Sequence, residues 1–159
     1  MLEVGRLANA TEDRSHFAAW AISSSPLILG FDASRRETLE RVWPIITNRE
    51  VIAVSQAWAG LAGRRISTSR DWQIWTKPLG GGRHACLLLS NASYSVDISV
   101  SLGEVSLELN ATGAVVSARD LYAGRELGHV AGDRFVGKSI SPHDSQMVVL
   151  YLHDPPGRV

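Results

Sequence analysis

The side chains that could carry out chemistry in this sequence are scattered rather than grouped. Its five histidines show no HxxxH or HExxH spacing, the pattern that places two imidazoles on one helix face around zinc. A Gly-x-Ser-x-Gly elbow for a nucleophilic serine is absent, and Gly80–Gly82 lacks the lysine and hydroxyl residue of a phosphate-binding loop. The sequence therefore predicts no metal site, no cofactor and no self-sufficient active site.

Two single residues have a functional interpretation beside a structural one. Asp32 follows the apolar run Leu27–Phe31, and functional groups gather at the carboxyl ends of strands in a (β/α)8 barrel. Capping of the following helix explains this carboxylate at least as well. Cys86, the one cysteine, lies among leucines, so we predict a buried apolar side chain without a catalytic role.

Three Asn-x-Ser/Thr triplets, at Asn9, Asn91 and Asn110, are acceptor sequences for N-glycosylation in a chain that enters a secretory pathway. They favour a secreted, lysosomal or vacuolar setting. The first residues lack the basic-then-apolar order of a signal peptide, so we expect none in this sequence.

Composition excludes several classes of partner. The chain has 159 residues, and 45% of them are hydrophobic, which is enough to build a core. Sixteen basic and sixteen acidic side chains cancel, so no basic face indicates binding to nucleic acid. No run of eighteen apolar residues is present, so we predict no membrane span.

Helical patterns surround one apolar run in the first sixty residues. Thr11 is the predicted cap of a first helix, and Leu27–Phe31 has the continuous apolar character of a strand buried on both faces. Ser34-x-x-Glu37 is a predicted capping box for a second helix that ends at Pro44, and Asn48 caps a third. This order predicts the end of an α/β domain.

After Gly60 the hydrophobic pattern changes to a period of two. Short strands at regular spacing with glycine turns between them predict an antiparallel sandwich. In the hairpin Ser117–Gly128, we expect Arg119 and Asp120 to form a structural ion pair beside the turn. The predicted strands are 72–77, 84–89, 97–102, 105–109, 115–121, 133–136 and 147–152.

A set of motifs runs in order along nearly the whole chain. They are Met1–Gly5, His16-Phe17, Trp20-Ala21, Ser25–Leu27, Thr47–Val54, Arg119–Ala123 and Pro142-His143. Together they resemble the C-terminal part of the alpha-galactosidase (melibiase) family, glycoside hydrolase family 27. No single motif of the set is specific to this family. The resemblance is specific because all of the motifs occur in the same order.

The resemblance implies a C-terminal remnant of a (β/α)8 TIM barrel followed by an all-β antiparallel sandwich of Greek-key type. Residues 1–62 would be the last strand and helices of the truncated barrel. Residues 63–155 would be the sandwich, and residues 156–159 an extended tail.

The family hydrolyses terminal alpha-linked galactose, in some members alpha-N-acetylgalactosamine, with retention. One carboxylate attacks the anomeric carbon and another protonates the departing oxygen. Both lie upstream of the segment matched by Met1–Gly5, so the resemblance implies a fragment that is inactive alone. Of the family's sugar pocket, only Met1 is carried over as a substrate-binding residue.

For the full-length parent, the resemblance implies a galactoside substrate and leaves the natural galactoside and homodimerisation open. The alternative from another class is a non-catalytic β-sandwich module that binds carbohydrate or another protein. Galactoside hydrolysis by the isolated chain would exclude the fragment hypothesis.

Overall fold

Three layers are stacked in the computed structural model, which describes residues 1–153: helices, a six-stranded sheet and a two-stranded sheet. The helices are α1 (Ala10–Ile22), α2 (Arg36–Ile46), α3 (Arg49–Gln56) and the single turn α4 (Leu102–Val105). The strands are β1 (Arg64–Thr68), β2 (Trp72–Gly80), β3 (Arg83–Ser90), β4 (Val96–Ser101), β5 (Val116–Asp120), β6 (Arg125–His129), β7 (Arg134–Ile140) and β8 (Ser145–Leu152). The predicted tail 156–159 lies outside the described residues, as do the last two residues of the predicted sandwich.

The two sheets form the antiparallel sandwich that the alternating pattern predicts. The strand order of the large sheet is β1-β2-β3-β8-β5-β6, and β4 pairs with β7 in the small sheet. Each of these strands runs antiparallel to its neighbours. The predicted hairpin Ser117–Gly128 joins β5 to β6 and is thereby confirmed, and the glycines Gly80–Gly82 join β2 to β3 in a second hairpin.

The centre of the large sheet is covered on both faces. Ala85 and Leu87 of β3 belong to a hydrophobic cluster shared with the helices, whereas Cys86 and Leu88 belong to a cluster shared with the small sheet. All four are completely buried. Because successive side chains of a strand point to opposite faces, an unbroken apolar run fits a strand with a core on each side.

α1 packs on β3 and β8 and also contacts α2 and α3. The predicted cap Thr11 is wrong. Asn9 caps this helix instead, because its side-chain oxygen accepts a hydrogen bond from the Glu12 N–H at 2.9 Å. Asparagine is an equally good N-cap and comes two residues earlier, so Thr11 lies inside the first turn. No helix in the described part of the chain combines the length and the apolar character that a membrane span needs.

Two predictions about α2 are also wrong. Its N-cap is Arg35, without a side-chain capping bond, and the Ser34 hydroxyl donates to Asp32 in the turn before the helix. Pro44 does not end the helix, which continues to Ile46. Only two helical residues follow this proline, so it removes a single hydrogen bond near the helix end.

The predicted doubly buried strand Leu27–Phe31 is not a strand in the structure. Only an isolated parallel bridge joins Leu29 to Leu2, and the side chains of Ile28 and Leu29 are 57% and 43% exposed. Leu27 and Phe31 pack against the helix cluster. The described residues thus cover this run on one face only, whereas a doubly buried strand needs a layer on both.

The predicted strand 105–109 is replaced by α4 and the turns after it. Leu102, Val105 and Leu109 are buried while Leu107 is 84% exposed. Spacings of three and four residues between the buried positions are those of a helix face rather than of a strand. The local alternation of Val105, Leu107 and Leu109 concealed this longer period.

Candidate functional site

The bridge between Leu2 and Leu29 places two chain segments side by side. The Leu2 N–H donates to the Ile28 carbonyl at 2.8 Å, and the two segments run parallel. Their carboxyl ends, Glu3–Gly5 and Gly30–Asp32, therefore leave the bridge at the same side. We call these two ends the carboxyl edge, because functional groups of parallel α/β folds collect at such a place.

Met1 lies against this edge. Its side chain is 68% exposed, and its Cε would lie 3.5 Å from a Cβ added at Gly30. The same Cβ would lie 2.6 Å from the Leu2 carbonyl oxygen, closer than real atoms approach. The two segments can approach this closely because residue 30 has no side chain. The predicted substrate-binding residue is thus accessible beside the carboxyl edge.

Asp32 is exposed at the end of the second segment. Its Oδ1 accepts hydrogen bonds from the Ser34 hydroxyl at 2.7 Å and from the Ser34 N–H at 3.0 Å. These bonds lower the pKa of the Asp32 carboxyl. Both belong to the turn before α2, so this carboxylate stabilises a turn and does not cap the helix as the structural interpretation expected.

Two side chains of α1 hold the first segment of the carboxyl edge. The Gly5 N–H donates to Asp13 Oδ1 at 2.7 Å, and the Glu3 N–H donates to His16 Nε2 at 3.1 Å. Asp13 is completely buried, and burial lowers the pKa of His16. A lowered pKa favours the neutral imidazole, which is the form that can accept a hydrogen bond at Nε2.

A second group of polar contacts joins the helices to the large sheet, and we call it the junction. The Arg119 guanidinium binds both carboxylate oxygens of Glu50 on α3, at 2.7 and 2.8 Å, and Glu126 Oε1 at 3.1 Å. Arg119 lowers the pKa of Glu50 through these hydrogen bonds. A bidentate pair of this kind fixes orientation as well as distance.

The predicted ion pair between Arg119 and Asp120 is wrong. Asp120 Oδ1 accepts hydrogen bonds from the N–H groups of Tyr122 and Ala123, at 3.0 and 2.9 Å, and Oδ2 accepts one from Gln146. Neighbouring residues of a strand point to opposite faces, so adjacent opposite charges are poorly placed to pair. Asp120 shapes the hairpin turn, and Arg119 reaches across to the helices.

The junction has further contacts at α1 and α3. Asn48 caps α3, as predicted, and its Nδ2 also donates to the Leu121 carbonyl at 2.9 Å. Arg14 on α1 pairs with Asp144 before β8, with 3.1 Å between Nε and Oδ1. The Tyr122 hydroxyl donates to the Arg14 carbonyl at 3.0 Å. Residues from two of the ordered sequence motifs, 47–54 and 119–123, thus meet at the junction.

Comparison with known proteins identifies the origin of this arrangement. Residues 69–150, slightly more than half of the chain, match the family described as the alpha galactosidase C-terminal beta sandwich domain. The chain belongs to the alpha-galactosidase family. The resemblance stated from its motifs is thereby confirmed.

Relatives in the alpha-galactosidase family extend the match to the helices. An alpha-galactosidase of Coffea arabica is 37% identical over 151 residues, which cover 94% of this chain and 38% of the relative. Alpha-galactosidase I of Mortierella vinacea superposes with a TM-score of 0.80 at 27% identity, over 94% of this chain and 38% of that one. A GH27-β-L-arabinopyranosidase of Geobacillus stearothermophilus superposes with a TM-score of 0.75 at 26% identity, over 94% and 32%. The chain thus spans about a third of the length of these proteins.

A pocket of about 410 Å³ lies beside the junction, between α3 and the large sheet. Its lining combines apolar side chains with two carboxylates, Glu50 and Glu126. Arg119 binds both carboxylates, and the Tyr151 hydroxyl donates to Glu126 at 2.8 Å. A retaining glycosidase needs one carboxylate free to attack and one able to give a proton. These two acids are engaged in the junction, so the pocket does not have the chemistry of the family's reaction.

The other candidate residues are placed as follows. Asn9, Asn91 and Asn110 are exposed, so each is sterically open to glycosylation, which stays a prediction. Within residues 1–153 no group of three or more histidine, cysteine, aspartate or glutamate side chains could hold a metal ion. Sequence analysis missed Asp13 and His16 as parts of the site, although their spacing of three residues on one helix places them on one face.

Cys86 is expected to be unreactive in the folded chain. It is completely buried, and burial raises the pKa of its thiol to about 12. Since the thiolate is the reactive form, we expect a disulfide reagent at pH 8 to label the native protein at least about a thousandfold more slowly than the urea-unfolded protein. Absorbance of the released thiol reports both rates. Rapid stoichiometric labelling of the native chain would contradict this prediction.

Proposed function

We propose that this chain is the C-terminal part of a retaining alpha-galactosidase whose two catalytic carboxylates lie on residues outside these 159. In this proposal residues 1–62 complete a (β/α)8 barrel, and residues 63–155 form the Greek-key sandwich beside it. The single observation that carries it is the carboxyl edge with Met1 beside it, in a chain of the alpha-galactosidase family. The reaction needs no cofactor.

The connection from Leu2 through α1 to Leu29 supports the barrel assignment. Two parallel segments that are joined by a bridge and connected through a helix have the connectivity of a βαβ unit, in which the parallel connection needs a crossover of a dozen residues or more. Such units are the repeating element of (β/α)8 barrels, whose active sites lie at the carboxyl ends of the strands. The exposed faces of Ile28 and Leu29 suit a strand that meets further barrel elements.

In the assembled enzyme, we assign Met1 a substrate-binding role. Its thioether side chain is apolar and polarizable, so it suits contact with the carbon face of a sugar ring. The proposed substrate is a terminal alpha-galactoside of an oligosaccharide or glycoconjugate. The three glycosylation sequences support a secreted, lysosomal or vacuolar location, and homodimerisation stays open.

A chimera tests this function. The chain would replace the matching C-terminal part of the Coffea arabica alpha-galactosidase, which supplies the remaining residues. We expect the chimera to hydrolyse p-nitrophenyl alpha-galactoside with retention, detected by NMR of the first product anomer, and the isolated chain to give no turnover. A folded but inactive chimera, or turnover by the isolated chain, would overturn the proposal.

The substrate panel should include alpha-N-acetylgalactosaminide and β-L-arabinopyranoside. The second belongs there because one similar structure is a β-L-arabinopyranosidase. We expect alpha-galactoside to give the highest kcat/KM of the three. A clear preference for another sugar would replace the proposed substrate and leave the assignment of retaining chemistry in place.

A further inference from the structure

The first segment of the carboxyl edge is held by side chains where a sheet would use a neighbouring strand. The N–H groups of Glu3 and Gly5 alternate along the chain and point to one side, as strand amides do. Their acceptors are His16 Nε2 at 3.1 Å and Asp13 Oδ1 at 2.7 Å, one helical turn apart on α1. The helix thus supplies two acceptors at the spacing of the two donors.

Arg41 on α2 strengthens this arrangement from a second direction. Its Nη2 lies 3.3 Å from Asp13 Oδ2, and Asp13 is completely buried. A buried carboxylate is stabilised only when charge and hydrogen bonds compensate its lost hydration, and Arg41 with Gly5 provides both. Arg41 also donates to the Leu7 carbonyl at 3.3 Å.

The backbone of the segment has little freedom between these contacts. Gly5 has a φ of +85°, and a Cβ at this position would lie 2.8 Å from Phe31 Cγ. The ring of Phe31 therefore packs directly on the Gly5 backbone and links the two segments of the edge. The side chains of Leu2 and Val4, which alternate with Glu3 and Gly5 along the segment, are completely buried and so are held by packing.

We propose that Asp13, His16 and Arg41 are positioning residues that hold Glu3–Gly5, and through this segment Met1, in the geometry that receives the sugar. This inference rests on the proposed function, because it names the support of the same site. None of the three needs to touch substrate. Their role is to remove the ordering cost that a loose segment would add to binding.

The sharpest test uses His16 in the chimera described above. His16→Ala removes the acceptor for the Glu3 N–H, whereas His16→Gln retains an acceptor at a similar distance along the side chain. We expect His16→Ala to raise KM for p-nitrophenyl alpha-galactoside about tenfold, the size of one lost hydrogen bond, with kcat per folded molecule nearly unchanged. His16→Gln should restore most of the affinity.

Arg41→Met gives a second variant that keeps most of the apolar stem of the side chain and removes its charge and hydrogen-bond donors. It should also raise KM several-fold. Glu12→Gln is the matched control, because Glu12 lies next to Asp13 on α1 and, among the described residues, its side chain is hydrogen-bonded to Asn9 alone. Its KM should equal that of the unchanged chimera.

Hydrogen–deuterium exchange of the peptide covering Leu2–Leu7 supplies a readout independent of catalysis. His16→Ala and Arg41→Met should speed exchange in this peptide about tenfold and leave β3 unchanged. An active chimera whose KM and exchange are unaffected by both variants would overturn the positioning role. An inactive unchanged chimera would instead overturn the proposed function, so the two failures are distinguishable.

Discussion

Leu87→Ala is expected to lower the free energy of unfolding of the chain by about 3 kcal/mol, within the range for truncating a buried leucine. Leu87 is completely buried at the centre of β3 and belongs to the cluster shared with the helices. The loss combines the transfer of the removed methyl groups with the cavity left behind. Urea denaturation followed by tryptophan fluorescence and by circular dichroism at 222 nm measures it.

Leu88→Ala is the matched control, because Leu88 is the next residue of the same strand and equally buried in the opposite cluster. We expect a similar loss and, in both variants, a single transition in which helical and fluorescence signals move together. Both clusters contain side chains of β3, so we expect them to unfold together. A Leu87→Ala chain that loses its helical signal first would show that the helix layer unfolds independently.

Arg119→Gln is expected to lower the free energy of unfolding by more than the loss of an isolated surface ion pair does, because it breaks the bidentate bond to Glu50 and the contact with Glu126. The side chains of Arg119 and Glu50 are 32% and 38% exposed, so solvent screening holds the loss below that of a buried pair. Arg119→Lys should lose most of the same energy, because an ammonium cannot reproduce the two parallel bonds.

The matched control for Arg119 is Arg36→Gln. Arg36 pairs with Glu40 at 2.7 Å, but its side chain is 89% exposed. An exposed pair within one helix contributes at most about 0.5 kcal/mol, so this variant should be nearly neutral. Equal losses for Arg36→Gln and Arg119→Gln would contradict a special role for the junction.

The Arg119 pair also predicts a dependence of stability on pH. Arg119 lowers the pKa of Glu50 below its ordinary value of 4.5, so the folded state binds fewer protons there than the unfolded state. The stabilisation is complete above pH 4.5 and is lost as the pH falls through the folded-state pKa. Arg119→Gln should therefore reduce the fall in the free energy of unfolding at acidic pH. An unchanged fall would mean that other carboxylates produce it.

Strands that alternate between a core face and a solvent face were predictable from sequence. Ile98 and Val100 of β4 are both buried, as their period of two requires. β1 was missed, because Arg64 and Arg65 begin an exposed edge strand with one half-buried isoleucine. Edge strands bury too little to produce a hydrophobic pattern, so their sequence carries a weak signal.

The polar contacts of the site were harder to predict than the sandwich. Asp13 and His16 lie on one helix face, but their acceptor role depends on where Glu3 and Gly5 are placed by the bridge. Arg119 pairs with Glu50, which is 69 residues away in the sequence, and not with the adjacent Asp120. Sequence gives the charge of such groups, whereas packing of the helices on the sheet decides which charges meet.

The large sheet, with a core on each face, has a consequence for producing the sandwich by itself. The match to the sandwich family begins at residue 69, after β1 and beyond all three N-terminal helices. A protein cut there would expose the helix-facing side chains of Ala85, Leu87 and Met147 to water, and contiguous apolar surface of this kind promotes self-association. The boundary of homology is therefore a poor boundary for recombinant expression. The shortest soluble version of this sandwich should begin before α1.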